Sequence, residues 1–226
     1  MLASRTTREH GAEIDVQIGT VGYILTFRPL NAHIRSGNPL LAGWVAALLC
    51  YPPVVYGFMG NGGILQYEYN TADWAYWLGG HVALQWVWAL WLVFLTGIYA
   101  WATFAFGIRF SNLTYRGVIT NGPYMFTRHP AYLAKNSFWW LATLPFLVNN
   151  QSWSDALRNT VCLAGVSAIY YWRARTEERH LLAEPDRAVA MIFQILPGIG
   201  MHEHVERSVI ERKPTYDIGK LPRRKR

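Results

Sequence analysis

The chain has 226 residues, about one domain's length, and only 15% of them are charged, where a soluble domain carries roughly a quarter. Apolar residues make up 52% of it, and the charge gathers toward the two ends while the middle is greasy. That asymmetry excludes an ordinary soluble domain and indicates an integral membrane protein with wet termini. The net charge of +7 does not argue for nucleic acid, because the basic residues sit at the edges of apolar segments and in the tail, where anionic lipid headgroups account for them. The two cysteines, Cys50 and Cys162, cannot form a metal site alone, and both fall inside apolar stretches as small buried thiols.

Residues 1–17 are polar and mixed in charge, which reads as a soluble arm without a cleavable leader. Residues 18–27 are apolar but too short to cross about 30 Å of hydrocarbon as a helix, so they lie in the interface or extend the next element. Arg28, His33 and Arg35 follow in one loop. Residues 39–59 are long enough to span, with Pro52 and Pro53 placed to kink the helix or end it early. Residues 60–80 form an irregular loop without Lys or Arg, closing on interfacial aromatics Trp74, Tyr76 and Trp77.

Residues 81–108 are the longest apolar run, about 42 Å as a helix, enough to tilt or protrude. After the polar stretch 109–131, residues 132–148 are apolar again, with Lys135 and Asn136 near their start. A polar turn at 149–155 leads to a further apolar segment at 156–172, so the last two form a helical hairpin. The loops that carry Arg, 28–38 and 109–131, alternate with loops that carry none. With spans at 39–59, 81–108, 132–148 and 156–172, every Arg-bearing loop falls on one side, which the positive-inside rule makes cytoplasmic. The expected fold is all-α, an integral membrane protein of four to five transmembrane helices. The expected divisions are an arm and interfacial segment (1–38), N-terminal helices (39–108), a functional core (109–200) and a basic tail (201–226). Residues 187–196 read as a mildly amphipathic helix against the cytoplasmic face, and the closing run 220–226 as a disordered contact for lipid headgroups. His202, Glu203 and His204 have no third ligand beside them, and no metal is expected.

Two polar clusters share the Arg-bearing side. The first is residues 116–132, ending in Gly122-Pro123-Tyr124-Met125-Phe126-Thr127-Arg128-His129-Pro130-Ala131-Tyr132. A loop that merely joins two membrane helices does not need Arg, His and two Tyr in eleven residues, while a positive-inside loop with interfacial aromatics would account for Arg128, Tyr124 and Tyr132. The second is Arg173-Ala174-Arg175-Thr176-Glu177-Glu178-Arg179-His180, on a helix continuing from the last span. Arg173 and Glu177 are four apart and face the same way, as an ordinary salt bridge would. Arg175, Glu178 and Arg179 read as a solvated helix end. A site between the clusters would be wet on one side and open to lipid on the other, which suits a reaction between a water-soluble cofactor and a lipophilic acceptor.

The order Gly-Pro-Tyr-x-x-x-Arg-His-Pro-x-Tyr, short helical hairpin, Arg-x-Arg-Thr-Glu-Glu resembles the isoprenylcysteine carboxyl methyltransferase family, whose wider relatives include phospholipid methyltransferases. The resemblance covers roughly residues 109–197; the first hundred residues agree by layout alone. It implies methyl transfer from S-adenosylmethionine, held in a cytoplasmic-face pocket closed by the loop and the C-terminal segment. Carried over by position, the cofactor contacts would be Arg116, Gly117, Val118, Ile119, Tyr124, His129, Pro130, Ala131, Tyr132 and Glu177, and Arg173 would face the acceptor. Arg116 stands where the eukaryotic members carry His. Arg109 stands where they carry Gln and is left out of the site. After Glu178 the chain lacks the glycine and paired tyrosines usual in relatives. The expected acceptor is a lipophilic small molecule or lipid-linked group, most simply a carboxylate; no nucleic-acid partner is expected, and the oligomeric state is not written in the sequence. Two other readings fit the layout: a membrane sterol-type reductase binding NADPH, and a non-catalytic membrane protein.

Overall fold

A computed structural model describes residues 20–21, 24–27, 29, 32–59, 62–109 and 113–184. The expected arm at 1–17, the amphipathic stretch at 187–196, His202–His204 and the basic tail lie outside them.

Among the described residues the fold is mostly helical, with one short β pair. Strand β1 (Ser36–Gly37) leads into helix α1 (Leu41–Leu49), which stops before Pro52-Pro53 and resumes as α2 (Val54–Phe58). The apolar stretch 39–59 is therefore two short helices, broken where the two prolines remove backbone donors. A one-turn helix α3 (Trp74–Trp77) is capped by the Asp73 side chain, which accepts from the Tyr76 N–H.

Helix α4 (Val82–Phe106) has 25 residues, about 37 Å. Among the described residues it is the one helix long and apolar enough to cross a membrane, and only 22% of its apolar window is buried. Leu92, Leu95, Ala102 and Thr103 form its inward face; Trp86, Val87, Leu90, Val93, Trp101 and Phe104 point out, as lipid-facing side chains would. A 3₁₀ turn (Gly107–Arg109), strand β2 (Thr114–Tyr115) and a second 3₁₀ turn (Gly122–Met125) follow.

Helix α5 (Pro130–Thr143) starts with proline at its first position, where the missing N–H is no loss. It ends at Thr143 rather than near 148, because Pro145 disfavours helix at the residue before it. Its 14 residues reach only about 21 Å, short of a full hydrocarbon layer. The Trp88 indole N–H donates to the Leu141 carbonyl and fastens α4 along α5 (2.9 Å).

Helix α6 (Trp153–Ala183) has 31 residues and opens with Ser152, whose hydroxyl accepts from the Asp155 N–H. Ala156, Asn159, Leu163, Val166, Tyr170 and Arg173 are buried at alternating intervals of three and four, one stripe facing the core. α1 packs on α6, and Met59 and Tyr67 pack against Cys162, Leu163 and Val166.

The loops gather at two ends. At one, β1 pairs antiparallel with β2, Ser36 opposite Tyr115, and Ser36 Oγ lies 3.0 Å from His180 Nε2. At the other, the Asn149 N–H donates to the Asn70 carbonyl, the Asn70 amide to Asp155, and the Asn159 amide to the Tyr69 carbonyl. The Arg-bearing segments 32–38 and 113–131 thus share the first end with the close of α6, and the stretches free of Lys and Arg share the second.

Candidate functional site

Tyr132 occupies the centre of the Arg-bearing end. It lies in the first turn of α5, and its hydroxyl donates to Glu177 Oε1 on α6 at 2.7 Å, joining residues 45 positions apart. The same oxygen accepts from Arg173 Nε at 3.2 Å. The Arg173 guanidinium lies 5.5 Å from the Tyr132 ring centroid and 5.1 Å from that of Tyr51, whose hydroxyl is 3.4 Å from Arg173 Nη2. Arg173 is buried because it continues the core stripe of α6, and its burial is tolerable because ring faces and a carboxylate replace water. The Arg173–Glu177 pair predicted from the spacing forms, with the guanidinium buried and the carboxylate partly open.

His129 stacks on the Tyr132 ring, with centroids 5.6 Å apart and planes at 14°. His129 and Glu177 therefore contact the same tyrosine, one at its ring and the other at its hydroxyl. Tyr124 is buried in the second 3₁₀ turn, edge-on to Phe106 at 5.0 Å. Burial pushes its hydroxyl pKa upward and the nearby Glu177 charge pushes it further, so it stays a neutral phenol beside that carboxylate.

Glu178 departs from expectation. Read from the sequence as part of a solvated helix end, its side chain is 3% exposed, while that of Glu177 is 31% exposed. Glu178 Oε1 lies 2.9 Å from His129 Nε2 and 3.3 Å from Arg128 Nη1, and Oε2 accepts from Arg175 Nη1 at 2.7 Å. Burial alone would raise its pKa; the His129 hydrogen bond and the charges of His129, Arg128 and Arg175 outweigh burial and hold it below the usual carboxylate range. Glu178 is thus the clamp that fastens the loop before α5 to α6, and it commits His129 Nε2. One step along the helix, Glu177 keeps its carboxylate partly open.

The remaining predicted residues lie nearby. Arg116 is buried, and Tyr115 packs with Val118, Leu181 and Leu182, so this stretch runs beside the last turns of α6. Gly117 has φ of +104°, and a Cβ there would meet the Arg35 guanidinium at 3.3 Å. Pro130 is buried at the start of α5; Ile119 and Ala131 are half-buried. His180, buried near the end of α6, has its pKa lowered by burial against the opposing pull of Glu184 and Glu177. Tyr51 and Tyr170 were not singled out by the sequence reading, and Glu178 and His180 entered it only as members of the second polar cluster. For Tyr170 and Glu178 the signal was present: the three-and-four spacing of α6 runs on through Ala174 to Glu178 past the point where the segment turns charged.

The order of pieces on the page is an apolar helix, a Gly-Pro-Tyr turn, an Arg-His-Pro helix start and a long helix carrying Arg and Glu into the same cluster. Residues 87–183 match the isoprenylcysteine carboxyl methyltransferase (ICMT) family. The ICMT match is a little under half of the chain, running from within α4 to the last residue of α6. It implies a methyltransferase. Neither the curated proteins nor the solved structures gave a match. Every helix that builds the Tyr132 cluster, apart from the Tyr51 turn, lies within the ICMT-matching residues.

Proposed function

We propose that the protein transfers a methyl group from S-adenosylmethionine to the carboxylate of a lipophilic acceptor at the cytoplasmic face of a membrane. The observation that carries this reading is the junction of the two motif pieces at Tyr132, Glu177 and Arg173, with His129 against the same ring. The donor set suits the cofactor: flat phenol faces for adenine or a sulfonium cation, and one partly open carboxylate for an amine or ribose hydroxyl. Arg116, Gly117, Val118, Ile119, Tyr124, His129, Pro130, Ala131, Tyr132 and Glu177 would hold it. When bound, S-adenosylmethionine supplies a methyl group on a sulfonium, open to displacement by a carboxylate oxygen with the bond's electron pair left on sulfur.

A carboxylate acceptor is already ionised at neutral pH, so no side chain has to remove a proton. The chain's own contribution is alignment and exclusion of water. Arg173, a fixed fork of donors, orients the acceptor carboxylate; the Tyr51 and Tyr132 rings pack against that fork. Four membrane-crossing stretches, with α5 reaching only part-way as a helix, and the division into arm, N-terminal helices, core and tail complete the proposal. The Arg-bearing end faces the cytoplasm on the positive-inside rule.

The test is to incubate membranes containing the protein with methyl-labelled S-adenosylmethionine and follow the label. Label entering the lipid or protein fraction, released by base as methanol, is the expected result. Saturable binding of NADPH without binding of S-adenosylmethionine would reject the proposal in favour of a reductase, and binding of neither would indicate a non-catalytic protein.

A further inference from the structure

Ser36, His180 and Glu184 meet at the Arg-bearing end, and the mechanism above uses none of them. Ser36 Oγ lies 3.0 Å from His180 Nε2 and donates to Glu184 Oε1, and His180 Nε2 is 3.6 Å from the same carboxylate oxygen. The serine hydroxyl has one proton, which goes to Glu184, so its oxygen accepts from the N–H at His180 Nε2. His180 is 6% exposed, in the last turn of α6, and Ser36 stands 144 positions away in β1. Ser36 precedes the ICMT-matching residues and Glu184 comes just after them, so this junction ties the matched part of the chain to a part outside the match.

The same strand is bonded to the stretch that leads into the proposed cofactor contacts. Besides the pairing of β1 with β2, the Arg35 N–H donates to the Tyr115 carbonyl at 2.8 Å and the Asn38 N–H to the Leu113 carbonyl at 2.7 Å. The Arg35 guanidinium lies over the Tyr115 ring, 5.6 Å from its centroid, and beside Gly117. Tyr115 and Val118 in turn pack with Leu181 and Leu182 of α6. A strand pair this short is marginal by itself, so its place depends on what ties it to α6. The Ser36–His180–Glu184 junction is a polar part of that tie.

We propose that His180 is a positioning residue for the cofactor: through Ser36 it ties β1 to the end of α6, and β1 holds residues 116–119 where S-adenosylmethionine meets them. This rests on the methyl-transfer reading above, which sets 116–119 against the cofactor. The tie is made by a neutral imidazole, which renders it sensitive to acid. Burial lowers the pKa of the enclosed His180 against the opposing pull of Glu184 and Glu177, whereas a released imidazole returns to about 6.5. The released state therefore takes up a proton more readily. The contribution of the tie is fully present above about pH 6.5 and is lost as pH falls through the folded value. Glu184 and Glu177 act on His180 from its own helix; across from it β1 presents the Ser36 hydroxyl, Arg35 lies just before β1 on the Tyr115 ring, and the buried Arg116 follows β2.

The test uses the full chain in phosphatidylcholine vesicles and two readouts: hydrogen exchange of segments 32–38 and 113–119, and equilibrium binding of labelled S-adenosylmethionine. At about pH 7.5, Ser36→Ala should speed exchange of both segments about tenfold relative to residues 153–170 of α6 and weaken S-adenosylmethionine binding by a similar factor. His180→Gln keeps a side-chain N–H for Ser36 but does not titrate, and at that pH it should match the native protein within about threefold. Between about pH 7.5 and pH 5.5 the native protein should lose protection and cofactor affinity at least about fivefold more than His180→Gln. Native-like exchange and binding in Ser36→Ala, or the same pH dependence in the native protein and His180→Gln, overturns the proposal. Faster exchange with unchanged S-adenosylmethionine affinity makes the junction a stabilising contact only and overturns it as well. In each of these cases the native protein still binds S-adenosylmethionine and the methyl-transfer reading stands; absence of that binding in the native protein defeats both.

Discussion

At the scale of single residues, two adjacent glutamates on one helix do different work. Glu177 leaves its carboxylate partly open between Tyr132 and Arg173, while Glu178, about 100° further round the helix, is enclosed by Arg128, His129 and Arg175. Glu177→Gln should weaken S-adenosylmethionine binding by an order of magnitude or more with little loss of thermal stability. Glu178→Gln should do the reverse first, lowering the melting temperature in detergent. Because the folded Glu178 pKa lies below its unfolded value, its contribution is fully present above about pH 4.5 and is lost as pH falls through the folded value. Acid melting curves of the native protein and Glu178→Gln should therefore converge at low pH. Arg173 gives a separate expectation: Arg173→Ala should reduce acceptor use at least tenfold more than cofactor affinity, and Arg173→Lys should not restore it, since an ammonium lacks the fork that packs against Tyr51 and Tyr132. Equal losses of acceptor use and cofactor affinity would place Arg173 in the cofactor pocket or in the scaffold.

At the scale of elements, the turn before α5 and the start of α6 can be separated by substitution. Gly122 has φ of +63°, and a Cβ there would meet the Trp101 indole nitrogen at 3.1 Å. Gly122→Val should lift the Gly-Pro-Tyr turn off α4, costing about 1–3 kcal/mol of stability and weakening cofactor binding through Tyr124. Asn159 makes its two bonds to the Tyr69 backbone at the opposite end of the molecule. Asn159→Ala removes both bonds made by this fully buried side chain and should lower stability by about 1–3 kcal/mol while cofactor affinity stays within twofold. Melting curves paired with equilibrium binding distinguish the two. Much of the element layout was legible in the chain. Pro52-Pro53 announced the break between α1 and α2, and the apolar run at 81–108 gave α4 to within a few residues at each end. The end of α5 was misjudged because hydrophobicity continues through Leu144, Phe146 and Leu147 while the backbone cannot follow it past Pro145 as helix.

At the scale of the whole molecule, the outward surface of α4 is apolar along its length, with Trp153 and Leu157 adding to it at the start of α6. Alkaline carbonate, which strips proteins held by charge alone, should leave this protein in the membrane pellet. Recovery in the supernatant would contradict a lipid-facing α4. Composition, the spacing of apolar runs and the alternation of Arg-bearing loops indicated, without any coordinates, a mostly helical chain with apolar segments and two polar stretches between and after them; the ICMT match covers both stretches within residues 87–183. Only the tertiary structure decided which atoms meet. Glu177 and Glu178 are chemically identical and adjacent in the chain, so nothing local distinguishes the open carboxylate from the enclosed one. The rotation of α6 against α5, set by the apolar stripe from Ala156 to Tyr170, turns one toward Tyr132 and the other toward His129. Tyr51 joins the cluster for the same reason: it comes from a segment distant in sequence, and packing of α1 on α6, rather than any local pattern, brings its ring to Arg173.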